Sequence, residues 1–155
     1  MILDNPVELR EAVPAGMRLM GLDFGTKTIG LALSDTRRVI ATPLETIRRR
    51  RFREDMTRLF ALADIYSVGG LVIGLPLTLA GTDGPRTQSV RQFSQNLLAL
   101  RDLPVVFWDE RLSTAAVTRE MIAHDMTRKR RAAIVDRVAA AYIQQGCLDY
   151  LTRMA

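Results

Sequence analysis

Acidic residues follow two apolar segments of this 155-residue sequence, at positions where a carboxylate is costly to bury. Asp23 ends an apolar stretch that begins at Leu19, and Asp109 and Glu110 come directly after the sequence PVVFW at 104–108. Ligands of α/β proteins gather where parallel strands end, at the carboxyl edge of the sheet. If the two segments are parallel strands, these acids meet at one edge.

A further acid, Asp136, lies in the last segment with helical spacing. The residues three and four positions away from it are all alanine: Ala132, Ala133, Ala139 and Ala140. Small residues let a helix approach a sheet closely, so Asp136 is expected to face the interior. A charge buried there needs a partner or a metal ion. The alternative is an ion pair with Arg131 or Arg137.

The ligand types available in the sequence favour a hard cation over zinc. The chain has one cysteine, Cys147, and one histidine, His124. Carboxylate oxygens are the ligands that Mg²⁺ or Mn²⁺ prefers. One or two such ions can polarise a phosphodiester and activate a water molecule. Acids that converge on one edge therefore predict a metal site for phosphate chemistry.

The loop GLPLTLAGTDGPR at 74–86 is a candidate for phosphate binding. Gly74 and Gly81 would let the backbone approach a phosphate closely. Arg86 follows at the start of a predicted helix, where free N–H groups favour anions. The alternative is a plain connector, since loops rich in glycine are common.

Basic residues exceed acidic ones by 22 to 17, giving a net charge of +5. Only Lys27 and Lys129 are lysines, so 20 of the 22 are arginine, whose planar fork suits phosphate oxygens, although a GC-rich genome gives the same bias. Arginines form one run at 48–51, and a second run comprises Arg128, Lys129, Arg130 and Arg131. Such runs either are solvated surface or contact a nucleic-acid backbone.

The elements that must position these residues can be read from hydrophobic periodicity. Residues 1–16 are expected to be an extension outside the core. The remainder predicts the order βββαβαβαα, a five-stranded mixed α/β sheet with helices on its faces. The predicted strands are 18–24, 28–34, 39–47, 71–75 and 104–108. The predicted helices are 52–66, 85–100, 113–122 and 132–152, with a polar basic loop at 124–131.

Several classes of protein are disfavoured by the composition. No apolar run approaches the roughly 20 residues of a membrane span, and the first residues lack the apolar core of a signal peptide. A single cysteine cannot form an internal disulfide. We therefore expect a cytoplasmic protein that has no membrane partner.

Four segments resemble the YqgF/RuvX family of pre-16S rRNA nucleases, also described as Holliday junction resolvases. They are GLDFGTKTIGLALSD (21–35), GLPLTLAGTDGPRTQ (74–88), DERLST (109–114) and AAIVDRVAAAYIQQGCLDYL (132–151). The resemblance spans 17–151 and implies an RNase H-like fold.

The resemblance also implies the functional residues. Asp23, Glu110 and Asp136 would be the catalytic acids that bind Mg²⁺ or Mn²⁺, with Asp109 as a supporting or alternative ligand. We also expect Lys27, Arg86 and Arg111 to position phosphates. The implied function is a metal-dependent nuclease domain at 17–155 that acts on structured RNA in 5′-end processing of pre-16S rRNA, and we expect a monomer or weak homodimer.

Three other functions fit the same sequence. A Holliday junction resolvase on four-way DNA would use the same chemistry but needs two symmetric sites. A non-catalytic RNA-binding factor for ribosome assembly would not need the acids. A phosphotransferase related to actin-like ATPases is less favoured, because it needs two such domains around one nucleotide and 155 residues supply one.

Overall fold

In the computed structural model, which describes residues 1–112 and 128–155, five strands form one mixed sheet. They are β1 (Arg18–Phe24), β2 (Thr28–Ser34), β3 (Ala41–Arg48), β4 (Val68–Leu75) and β5 (Val105–Asp109). Their order across the sheet is β3-β2-β1-β4-β5. Strand β2 is antiparallel to both of its neighbours, β1 and β3, whereas β4 is parallel to β1 and β5 is parallel to β4. The predicted five-stranded mixed sheet is confirmed.

Helices cover both faces of this sheet. The described residues form α1 (Leu9–Ala12), α2 (Phe52–Ile65), α3 (Pro85–Leu100) and α4 (Arg128–Arg153), with short 3₁₀ turns at Pro6–Glu8 and Glu110–Leu112. One apolar cluster joins the sheet to α2 and α3, and a second joins the opposite face to α4. Within the described ranges, no helix is both long and apolar enough to cross a membrane.

Side-chain alternation along β1 decides which face Asp23 joins. Met20 and Leu22 belong to the core beneath α2 and α3, whereas Leu19 belongs to the core beneath α4. Successive strand residues point to opposite faces. Asp23 therefore lies on the α4 face, and the following residue, Phe24, lies on the α2–α3 face.

Three predicted boundaries differ from the structure by two residues or more. Helix α4 begins at Arg128, so the residues at 128–131, predicted as loop, form its first turn. Arginine and lysine are good helix formers, and a run of charge does not by itself interrupt a helix. β3 begins at 41 and not 39, and β4 begins at 68, earlier than the predicted 71. The predicted helix at 113–122 and loop residues 124–127 lie outside the described residues.

The prediction that residues 1–16 lie outside the core is wrong. Leu9 and Val13 are 0% and 1% exposed and pack in the cluster beneath α4. Ahead of them, the Leu3 amide donates to the Val105 carbonyl at 2.7 Å, and the Val105 amide donates to the Met1 carbonyl at 2.9 Å. The segment thereby covers the edge of β5, which would otherwise expose unpaired backbone groups.

We predict that Leu9→Ala lowers the free energy of unfolding by about 2–5 kcal/mol, the cost of emptying a fully buried leucine site. Urea unfolding would measure it. The control is Leu79→Ala, because Leu79 is 99% exposed and its truncation should change stability by less than about 0.5 kcal/mol. Equal effects of the two substitutions would show that the segment does not contribute to the core.

Candidate active site

Asp23 lies between two glycines of the neighbouring strands. It is 3% exposed, and its antiparallel partner on β2 is Gly30. On the other side, Leu22 pairs with Ile73 of β4, so Gly74 is the next residue along that strand. Because neither glycine has a side chain, the sheet surface on both sides of Asp23 is open to groups from other elements.

Gly30 admits the backbone of α4 at Asp136. A Cβ atom on Gly30 would collide with the Asp136 carbonyl group and lie 2.9 Å from the Arg137 nitrogen. The Asp136 carboxylate accepts a hydrogen bond from the Thr28 hydroxyl, which lies two residues before Gly30 on β2. The helix and β2 together fix Asp136 beside the strand that carries Asp23.

Gly74 admits Glu110 in the same manner. A Cβ atom on Gly74 would lie 2.8 Å from Glu110 Oε1 and 2.7 Å from Ile143 Cδ1. The Glu110 side chain therefore lies over β4 on the α4 face, next to the position of Asp23. Gly74 is a buried residue of β4, as the predicted strand at 71–75 requires, and its predicted phosphate contact stays a prediction.

The structure thus brings the three predicted acids to one end of one sheet face, from β1, α4 and the turn after β5. Each has an interaction partner. Within residues 1–112 and 128–155, no three carboxylate, imidazole or thiol groups are already assembled tightly enough to hold one metal ion. The all-oxygen donor set and the glycine cradle fit Mg²⁺ or Mn²⁺, and side-chain rotation of Asp23, Glu110 and Asp136 would have to complete the coordination.

Asp109 has a different role from its neighbour Glu110. Arg111 donates from Nη2 to Asp109 Oδ2 at 2.6 Å and from its backbone N–H to Oδ1 at 3.0 Å. The Arg111 side chain holds the pKa of Asp109 below its usual value. The same guanidinium donates from Nη1 to the Leu79 carbonyl at 3.3 Å. Arg111, predicted to bind phosphate, therefore connects the end of β5 to the loop after β4.

That loop has a defined conformation at its tip. The Thr78 amide donates to the Thr82 carbonyl at 2.9 Å, and the Gly81 amide donates to the Thr78 carbonyl at 2.8 Å. Gly81 has a φ of +79°, a conformation that favours glycine. This glycine is required by the turn, and its predicted phosphate contact stays a prediction.

The predicted phosphate-binding cations lie around the same end of the sheet. Lys27 is exposed in the β1–β2 turn, and Arg86 is exposed in the first turn of α3. Arg128, Lys129 and Arg130 form the start of α4, the helix that carries Asp136, and their side chains lie outside the described part of the structure.

Sequence reasoning missed two groups that shape the site, Thr28 and Gly30. A glycine inside an alternating strand signals close approach by another backbone, and Gly30 carried this signal within β2. No local pattern indicates which helix approaches, because the contact joins residues more than one hundred positions apart.

Comparison with known proteins gives a consistent result. A sequence model of the RuvX family, described as Holliday junction resolvase, matches residues 17–150. A protein of Paramagnetospirillum magneticum is 58% identical over 93% of each chain. A protein of Rhodospirillum rubrum is 59% identical over 92% of this chain and 89% of its own. Both relatives are named as proposed pre-16S rRNA nucleases.

Solved structures share the fold at low sequence identity. T. thermophilus RuvC in complex with a Holliday junction substrate gives a TM-score of 0.56 at 13% identity, covering 90% of this chain and 97% of that chain. The yeast mitochondrial Holliday junction resolvase gives 0.50 at 10% identity, covering 96% and 85%. The fold is therefore RNase H-like, of the type found in these resolvases. Within that class, the chain belongs to the RuvX family.

We predict that Gly30→Ala destabilises the protein by about 1–3 kcal/mol, the usual cost of overpacking, because the new methyl group must displace the α4 backbone at Asp136. Thermal or urea unfolding would measure the loss.

Gly16→Ala is the control, since nothing lies within 4 Å of a Cβ there and only the φ of +87° opposes alanine. That conformational cost is about 1–2 kcal/mol. A Gly30→Ala protein as stable as the wild type would contradict the close contact between the α4 backbone and β2.

Proposed function

We propose that this protein is a metal-dependent phosphodiesterase that acts on structured RNA in 5′-end processing of pre-16S rRNA. The observation that carries the proposal is the placement of Asp23, Glu110 and Asp136 on one face around two glycines. Acids from three separate elements that meet at a sheet edge are costly for stability alone. Their arrangement suits an oxygen-ligand cation and a phosphate substrate.

The chain's own residues have distinct tasks in this proposal. Asp23, Glu110 and Asp136 would hold the Mg²⁺ or Mn²⁺. When bound, such an ion polarises the phosphodiester and lowers the pKa of a water molecule. Thr28 orients the Asp136 carboxylate by hydrogen bonding. Lys27 and Arg86, exposed at the rim, would position phosphates of the strand.

The choice of RNA follows from the names of the relatives, which are more than half identical to this chain over nearly its full length. We also propose a cytoplasmic location, because ribosomal RNA of the bacterial relatives is made there. The nuclease domain would comprise 17–155, stabilised by the packing of the segment that precedes it.

A second candidate, a resolvase of four-way DNA junctions, is favoured by the family description and by the fold shared with RuvC. Paired symmetric cuts need two sites related by a twofold axis. Under the first proposal the protein works as a monomer or weak homodimer. Sedimentation with and without a junction would separate the two, because only a resolvase must be a dimer on its substrate.

We predict that wild-type protein with Mg²⁺ cleaves a precursor 16S rRNA fragment, and that Asp23→Asn and Glu110→Gln each reduce the rate by more than about 100-fold. Even changes beside a metal ligand cost 10–100-fold, so loss of a ligand should cost more. Cleavage of matched precursor RNA, duplex RNA and junction DNA, with Mg²⁺ or with EDTA, would measure this.

Asp149→Asn is the matched control, because Asp149 is exposed on α4 and accepts from Gln145, away from the sheet end. It should cleave at the wild-type rate. Wild-type rates from purified Asp23→Asn would contradict the catalytic assignment. Ribosome maturation that survives loss of the acids would instead support the non-catalytic assembly factor.

A further inference from the structure

A cleft of about 650 Å³ lies at the same end of the sheet as the acids but on the opposite face, between the β1–β2 turn and α3. Its walls include Phe24, Arg49, Phe52, Arg86 and Phe93. Among the described residues that line it, two are cationic and none is acidic. The cleft therefore favours an anionic ligand.

Arg49 is held in a fixed position within this cleft. Its guanidinium lies 4.3 Å from the centroid of the Phe24 ring and donates to the carbonyls of Gly25 at 2.8 Å and Thr26 at 3.0 Å. The Phe24 ring stacks on Phe93 with centroids 4.1 Å apart. Both phenylalanines are buried, at 9% and 4% exposed, whereas Arg49 is exposed. A stacked column thus ends in a planar cation at the cleft wall.

Such a surface suits the face of a nucleobase. Unpaired bases stack on aromatic rings and on arginine guanidinium planes when proteins bind single strands. Bases within a duplex are stacked on each other and present only their edges. An unpaired nucleotide, unlike one within a duplex, can therefore place the face of its base against Arg49.

The opposite wall offers partners for the rest of a nucleotide. Arg86 lies in the first turn of α3, a helix of 16 residues, and helix N-termini favour phosphate. The amide side chains of Gln88, Gln92 and Asn96 also line the cleft and can donate to or accept from base edges. The described lining therefore combines a stacking plane, a cation and amide groups.

We propose that this cleft binds one unpaired nucleotide of the nucleic-acid substrate, with its base on Arg49 and its phosphate at Arg86. The inference rests on the proposed nuclease function and narrows its substrate class to strands with a single-stranded segment near the cleaved bond. Asp23 and Phe24 are consecutive and point to opposite faces. A strand that crosses the sheet end at the β1–β2 turn therefore reaches both the acids and the cleft.

The first test compares binding of a fluorescent RNA duplex that has a short single-stranded overhang with binding of the blunt duplex, by anisotropy in EDTA so that no cleavage occurs. Arg49→Lys keeps the charge but removes the stacking plane, and should weaken binding of the overhang RNA about tenfold. The affinity of the Arg49→Lys protein for the blunt duplex should equal that of the wild type.

Arg101→Lys is the matched control, because Arg101 also lies over a ring, Phe60 at 4.5 Å, and pairs with Asp64, outside the cleft. It should bind both RNAs as the wild type does. Arg86→Ala should reduce the slope of log Kd against log salt by about 0.7, the value for one phosphate contact of a single strand. Arg49→Lys should leave that slope unchanged.

A second test uses the wild-type protein and does not depend on the folding of any variant. Replacing one overhang nucleotide at a time with an abasic residue should weaken binding at one position only. If binding of a DNA overhang depends on Arg49 to the same extent, the proposal that the cleft binds an unpaired nucleotide is also supported. That result would indicate that the nucleotide can come from DNA.

Equal loss for overhang and blunt RNA in Arg49→Lys, or no effect of any abasic residue, would overturn the proposal. This failure is distinguishable from failure of the nuclease function. If the protein cleaves RNA and cleavage does not depend on Arg49, only the proposed role of the cleft is contradicted. If overhang binding depends on Arg49 but the wild-type protein cuts none of the substrates, only the proposed nuclease function is contradicted.

Discussion

At Gly21 and Gly30 the α4 helix lies directly on strands β1 and β2, and the arrangement of the acids depends on this contact. A Cβ on Gly21 would lie 3.0 Å from the Ala140 carbonyl and 2.7 Å from Gln144 Cβ. Residues four apart on a helix share one face, so Asp136, Ala140 and Gln144 form a single stripe against the sheet. The contacts that stabilise α4 against the sheet therefore also position Asp136 at the end of β1.

The same contact explains how polar groups are tolerated beneath α4. The buried Gln144 side chain donates from Nε2 to the Leu19 carbonyl at 2.8 Å, although its Oε1 has no hydrogen-bond partner among the described residues, and Thr28 donates to Asp136. Burial of a polar group is costly unless it is hydrogen-bonded. Asp23 is 3% exposed and shares the sheet end with two other acids, so its charge is costly to bury. Under the proposed function, that cost is the one a metal site imposes on stability.

Much of this architecture could be predicted because the relevant signals are local. The bounds of β1, β2 and α3 follow from alternation and from Pro85 at the start of the helix. The packing of the first residues could not be predicted, because the one helical spacing there, between Leu9 and Val13, is too short to establish a buried helix and does not include Leu3. Their burial is set by distant partners on β5 and α4.

The candidate site also has some features that local sequence predicts and others that only long-range contacts determine. The positions of Asp23 and Glu110 follow from the rule that ligands gather at the carboxyl ends of parallel strands. The roles of Gly30 and Gly74 emerge only from the three-dimensional contacts with Asp136 and Glu110. The different roles of the adjacent residues Asp109 and Glu110 likewise appear only in the structure, where Asp109 forms an ion pair with Arg111.

Strand β1 carries residues of both the acid cluster and the proposed nucleotide cleft, one on each face of the sheet. Asp23 requires small neighbours on the α4 face, so that acids from other elements can come close. Phe24 has large neighbours on the other face, where its ring stacks on Phe93 and the Arg49 guanidinium lies over it. Because the two residues are adjacent in a rigid central strand, the positions of the acids and of the cleft are fixed relative to each other. A substrate that contacts both must therefore bend across the sheet end, which a flexible single strand does more readily than a duplex.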